Sequence, residues 1–268
     1  MLWITANRPE VDITGSPPCL LSRLTDGQAY VQARDLWIGH TGPEQTNTAI
    51  LENAAKFFTR FEKEIAADLY ERARAIDPDN PEWSIATGHL HMLAGIGASA
   101  SEKKQHAAAA LKEFEAAYRQ TSDEAMRFHQ LRDLAGAALN AGNAEKAKAY
   151  AEELLQLAPE HKKNFDYGNA IHDGNVVLGR LAVAERDVEK SKEFLLAAGR
   201  TPGSPQLGSF GPNMTLAYEL LRHGEKEVVL HYLKLCSRFW EDGQEELRNW
   251  EKQIRWGRTP DFGPHLAY

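Results

Sequence analysis

Asp166, Asn169, Asp173 and Arg180 follow one another at spacings of three, four and seven residues, which lines side chains along one face of a helix, and Val176 completes the stripe. Two carboxylates, a carboxamide and a guanidinium in a row can grip the polar groups of a ligand. With His172 beside Asp173, the same stripe offers a general base, whose nucleophile would have to come from another part of the chain. Other chemistry-bearing residues fall into weaker patterns. His89 and His91 flank Leu90, and residues two apart on a helix point to different faces, so this pair cannot chelate a metal unaided. The chain has no His-Glu-x-x-His motif, Cys cluster or Gly-x-Ser-x-Gly elbow, the patterns that place a zinc ion or a serine nucleophile. Gly208 to Gly211 does not follow a strand, as a phosphate loop would. Asp261-Phe262-Gly263 stands without the Gly-rich loop and lysine of a kinase. No catalytic residue, metal ligand or cofactor is assigned.

The elements that position these residues are read from a recurring frame. Ala66, Tyr70, Ala73 and Pro78 lie four, seven and twelve residues apart, and the frame returns at Ala147, Ala151, Leu154 and Pro159. It appears also as Ala110, Phe114 and Ala117, as Ser191, Leu195 and Ala198, and as Val229, Leu233 and Cys236. Twelve residues upstream of four of these stand Ala54, Ala135, Gly179 and Ala217. Small groups at helical spacing let two short helices pack closely. The frame predicts five antiparallel helix pairs, at roughly 47 to 80, 81 to 122, 128 to 161, 164 to 203 and 210 to 240, an all-α solenoid. Breakers at Pro78 and Pro81, Ala141-Gly142, Ala158-Pro159 and His223-Gly224 end the helices. A lone helix over Leu24 to Trp37 is expected to cap one end, and an amphipathic helix over Gln244 to Arg255, with Leu247, Trp250 and Ile254 inward, the other. Residues 1–21, broken by Pro9, Pro17 and Pro18, are expected to be irregular, residues 22–256 to form the repeat domain, and residues 257–268 an extended tail.

Frame-to-frame distances of 44, 37, 44 and 38 residues require insertions. One is expected around Gly95 to Ser101 between the helices of the second pair. Another before His172 predicts a long helix from about Asn164 to Glu185. The stretch Gly199 to Asn213 is too rich in Gly and Pro for a slack linker and is expected to hold a defined backbone path just before the last pair, folding over one edge of the groove.

Composition removes several function classes. With 268 residues and a net charge of -7, the chain lacks the basic surface that nonspecific nucleic-acid binding needs. No apolar run reaches the roughly 20 residues of a membrane span. Met1 to Leu21 lacks a signal peptide's basic and apolar regions, so a cytoplasmic location is the expectation, an extracytoplasmic one staying open. Cys19 and Cys236 are far apart, and Cys236 falls on the buried frame, as a free core thiol does.

On these residues the chain resembles a tetratricopeptide-repeat protein. Phe128 to His161 is the cleanest unit, with Leu134, Ala135, Ala138, Gly142, Ala147, Ala151 and Pro159 on consensus positions, and Asn47 to Asn80 is the next. The resemblance covers about residues 24 to 256. It implies that the first helix of each pair lines a concave groove. Asp173, Val176 and Arg180 would then face inward, beside His129 and Arg132 from the preceding pair and Met214, Tyr218 and Arg222 from the following one. Leu51 and Ala55 stand where the chaperone-tail clamp of such repeats has Lys and Asn, so that partner is not expected. The groove candidates are therefore His129, Arg132, Asp166, Asn169, His172, Asp173, Arg180, Met214, Tyr218 and Arg222. They predict a non-catalytic scaffold for a protein or peptide segment. The alternatives are a small-molecule or enzymatic site at Asp166, Asn169, His172 and Asp173, and a self-associating structural repeat. The oligomeric state is not readable from the sequence.

Overall fold

The structure, a computed structural model, describes residues 1–16 and 19–266. Pro17 and Pro18, read as breakers, and the last two residues of the tail lie outside the described residues. Every regular element among the described residues is helical, so the chain is all-α. The chain divides into two compact units. One comprises residues 1–102 and 112–120, the other residues 103–111 and 121–268.

The first unit contains α1 (Leu2–Asn7), α2 (Gly27–His40), α3 (Thr48–Phe58), α4 (Lys63–Ile76) and α5 (Glu82–Ala94). A long helix, α6 (Ala100–Gln120), contributes residues to both units. The core of the first unit is Tyr30, Trp37, Leu51, Phe57, Phe58, Leu69 and Tyr70, packed around the small side chains of Ala33, Ala54, Ala66 and Ala73. Burying each large apolar group stabilises the fold by about 1.5–3 kcal/mol. The segment expected to be irregular is instead built in: α1 is followed by a 3-10 turn, Pro9–Val11, which Asn53 of α3 holds by donating to the Pro9 carbonyl at 3.0 Å. His40 meets the Thr5 carbonyl at 2.7 Å. The expected insertion at Gly95 to Ser101 is a short link, since α6 already begins at Ala100 and runs 21 residues.

The second unit contains α7 (Glu124–Asn140), α8 (Ala144–Leu157), α9 (Tyr167–Ala184), α10 (Val188–Gly199), α11 (Pro205–Phe210), α12 (Thr215–Arg222), α13 (Lys226–Cys236) and α14 (Gln244–Arg255). Neighbouring helices pack as pairs, α7 with α8, α9 with α10 and α12 with α13, and α14 lies on α13. Side chains at the starts explain where helices begin: Asp123, Asn143, Asp187 and Ser204 each accept a backbone N–H of the first turn, worth about 1 kcal/mol apiece. The turns at Gly142 and Gly224 use positive φ, 76° and 86°, which costs glycine little. Ala147, Ala151, Leu154, Ser191, Leu195, Ala198, Val229, Leu233 and Cys236 are all buried, so the frame read from the sequence is the packing frame.

One expectation fails here, and one helix boundary shifts. The tail is not extended: Phe262 and His265 are buried in the second unit, where Trp250 meets both rings edge-on at 4.9 and 5.3 Å. The Met214 N–H donates to the His265 carbonyl at 2.9 Å, fixing the return. The long helix starts at Tyr167 rather than Asn164, because the Asn164 side chain accepts the Asp166 N–H at 2.9 Å and turns the chain first. Among the described residues no helix is long and apolar enough to cross a membrane.

Candidate functional site

Helix α9 is the central element of the site. Gly168, Ala170, Gly174, Val176, Val177, Leu178, Gly179 and Ala182 bury it on most sides, so the polar side chains it carries must find partners. Asp166, at its N-cap position, is 5% exposed and joins two elements. Its Oδ2 lies 2.6 Å from His129 Nδ1 on α7, and because a carboxylate only accepts, that nitrogen carries the proton. Its Oδ1 accepts from Asn169 Nδ2 at 3.1 Å.

Asn169 is 2% exposed and fully used. Its second amide hydrogen goes to Gln206 Oε1 at 2.7 Å, and its own oxygen accepts from Ser204 Oγ at 2.6 Å. Arg132, one helical turn from His129 on α7, donates from Nη1 to the same Gln206 oxygen at 3.0 Å. Its guanidinium also stands 3.8 to 4.0 Å from Asp133, Asp166 and Asp173.

These charges shift one another. The bond from His129 to Asp166 raises the His129 pKa, outweighing partial burial. Burial pushes Asp166 up, but His129, Asn169 and Arg132 together bring it below the usual carboxylate value. Burial works against the Arg132 charge, and the three surrounding carboxylates more than restore it. A small open pit between Phe128, His129, Arg132, Leu154, Asp166 and Ala170 lies at this junction. The Phe165 ring, 67% exposed, stands beside His129 with centroids 6.4 Å apart.

A second string runs inward. Asp173 Oδ1 is 2.7 Å from His172 Nδ1, and His172 Nε2 is 2.9 Å from the Tyr232 hydroxyl of α13. Both His172 and Tyr232 are fully buried. Burial keeps the Tyr232 phenol and the nearby Cys236 thiol protonated, pushing both well above their usual values. The string resembles an acid–base relay in composition, and its hydroxyl end is sealed in the core, where it links α9 to α13.

Of the sequence candidates, His129, Arg132, Asp166, Asn169 and Asp173 come together, with His172 behind Asp173. Arg180 lies two turns further along α9, paired with Glu219 of α12 at 2.9 Å. Met214 is not on a groove: it precedes α12 and is fully buried in the apolar cluster. Val176, expected on the inward stripe, belongs to the same cluster. Tyr218 is half-buried against that cluster, and Arg222 is exposed at the end of α12.

Sequence reasoning missed Gln206, Ser204, Asp133, Phe165 and Tyr232. For the first two a signal exists, since Ser204 followed by Pro205 is a helix start and places Gln206 in a first turn. Among the described residues no group of three or more His, Cys, Asp or Glu could hold a metal ion. Compared with known proteins, the chain matches no family model and no curated sequence.

Proposed function

We propose that the chain is a tetratricopeptide-like array that docks a protein or peptide segment on the polar face formed by α7, the start of α9 and α11, without chemistry of its own. The observation that carries this reading is the contrast within the site. Asp166 and Asn169 are buried and hydrogen-bonded, while His129, Arg132 and Asp173 above them stay partly exposed. Buried partners fix the rim side chains in advance, so a ligand does not have to order them on binding. The exposed Phe165 beside the rim adds an aromatic contact of the kind that anchors docked segments. A peptide suits a rim of separated polar groups better than a small metabolite does, because the adjoining pit is too small to enclose one. The net charge of -7 favours a protein over a nucleic-acid partner.

The test is a displayed peptide library screened on the wild type and on Arg132→Ala. Selected sequences should lose binding by about tenfold or more on the variant, as an anchoring residue requires. Equal binding to both proteins would put the docking surface elsewhere. A metabolite raising the melting temperature through the same residues would favour the small-molecule alternative.

A further inference from the structure

Gln206 is the most exposed member of the network, yet its oxygen receives two well-directed donors, Arg132 Nη1 at 3.0 Å and Asn169 Nδ2 at 2.7 Å. Both donors are held independently of it. Asn169 is fixed by hydrogen bonds with Asp166 on one side and Ser204 on the other, and Arg132 is drawn to its place by ion pairing with three carboxylates at 3.8 to 4.0 Å. The backbone that carries Gln206 is anchored too. Thr201 donates to the Gly168 carbonyl at 2.7 Å, Leu207 is buried, and a Cβ on Gly168 would fall 1.9 Å from the Gly203 carbonyl oxygen. Rotation of one exposed side chain therefore uncovers a pair of oriented donors with no movement of the helix beneath it.

The charges around that position decide what can replace the Gln206 oxygen. One guanidinium faces three carboxylates, and protonated His129 offsets only one more. The surroundings are net negative in either state of His129, so an incoming carboxylate is repelled while an uncharged carbonyl is not. We propose that Gln206 is an internal stand-in for a bound amide. The position it fills between Arg132 and Asn169 accepts the neutral carbonyl of a docked segment, from an Asn or Gln side chain or a peptide bond, once Gln206 turns out to solvent. This deepens the peptide-docking reading and rests on it, and it makes Gln206 an autoinhibitory contact.

The experiment compares the wild type with Gln206→Ala, using two blocked peptides, acetyl-Ala-Gln-Ala-amide and acetyl-Ala-Glu-Ala-amide. Binding is followed by NMR at the Asn169 side-chain amide and the Arg132 guanidinium. Removing the internal competitor should tighten the Gln peptide by about tenfold, with saturable shifts at both groups, and the Glu peptide should bind more weakly. Adding Arg132→Ala should abolish the gain. Unchanged backbone signals of Gly168 and Leu207 report an intact segment, and Gln206→Met, which keeps the chain length without the acceptor, repeats the test if they move. Equal affinity in wild type and variant, or tighter binding of the Glu peptide, overturns the inference. Library hits on the wild type without a gain from Gln206→Ala would sink this inference alone. A gain with no library hits would leave the amide position standing and sink the docking of a longer segment across the surrounding face.

Discussion

His129 on α7 and Asp166 at the head of α9 meet at 2.6 Å, and each moves the other's proton affinity toward the charged pair. The sign follows from the two directions. A raised His129 pKa contributes stability that is fully present below the unfolded histidine value, about 6.5, and is lost as pH rises through the folded value. A lowered Asp166 pKa contributes stability present above about 3.9 and lost as pH falls through its folded value. The pair therefore helps most between those limits. Urea unfolding at pH 5.5 and 8.5 should show the wild type's advantage over His129→Gln shrinking at the higher pH. An advantage that is constant, or that grows, would contradict a charged pair.

Around His172 the cost of truncation should be larger than surface substitution allows, since the ring is fully buried with both nitrogens engaged. Tyr232→Phe leaves Nε2 without a partner in the core, and Asp173→Ala does the same to the Nδ1 proton. Each should destabilise by about 1–3 kcal/mol in chemical denaturation, the penalty of an orphaned buried polar group. A loss below about 0.5 kcal/mol for both, the range of ordinary surface changes, would mean that water reaches the imidazole.

The contrast between Asp173 and Met214 shows what the sequence could carry. Helical period alone predicted that Asp166, Asn169 and Asp173 share a region, because that period is local, and the buried frame from Ala54 to Cys236 was legible for the same reason. Repeat register places Met214 on a groove, and the register fails where α12 starts late, at Thr215. What buries Met214 is distant in sequence: the tail residue His265 takes its N–H and the apolar cluster closes over its side chain. Gln206 has a local signal for its place in a first turn, from Ser204-Pro205, but none for its contacts. Its partners lie 37 and 74 residues away, and no local pattern encodes a contact at that range.

Arg180 and Glu219 tie α9 to α12 through an ion pair with side chains 25% and 29% exposed. Partly solvated pairs contribute up to about 1 kcal/mol, so Arg180→Ala should lower stability by no more than that. Its melting temperature should fall only slightly, and raising the salt concentration should narrow the gap to wild type. Early unfolding of Arg180→Ala would mean that the pair organises the α9–α12 contact instead of decorating it.

Gly179 supplies the sharpest packing test. An added Cβ would sit 2.3 Å from Leu216 Cδ2 and 3.1 Å from Phe194 Cβ. Leu216 is fully buried and has little room to yield. Gly179→Leu should therefore force α9 away from α10 and α12 and cost roughly 1–3 kcal/mol through overpacking. Helix propensity works in the opposite direction, since a glycine in a helix interior gives up about 1 kcal/mol relative to alanine. Gly179→Ala thus sets the two effects against each other with the smallest possible side chain. If the close approach dominates, the alanine variant is less stable than wild type by denaturant midpoint and the leucine variant less stable again. If α9 can shift by a few tenths of an ångström, propensity wins and the alanine variant gains stability, which would show that glycine is not required at this helix crossing.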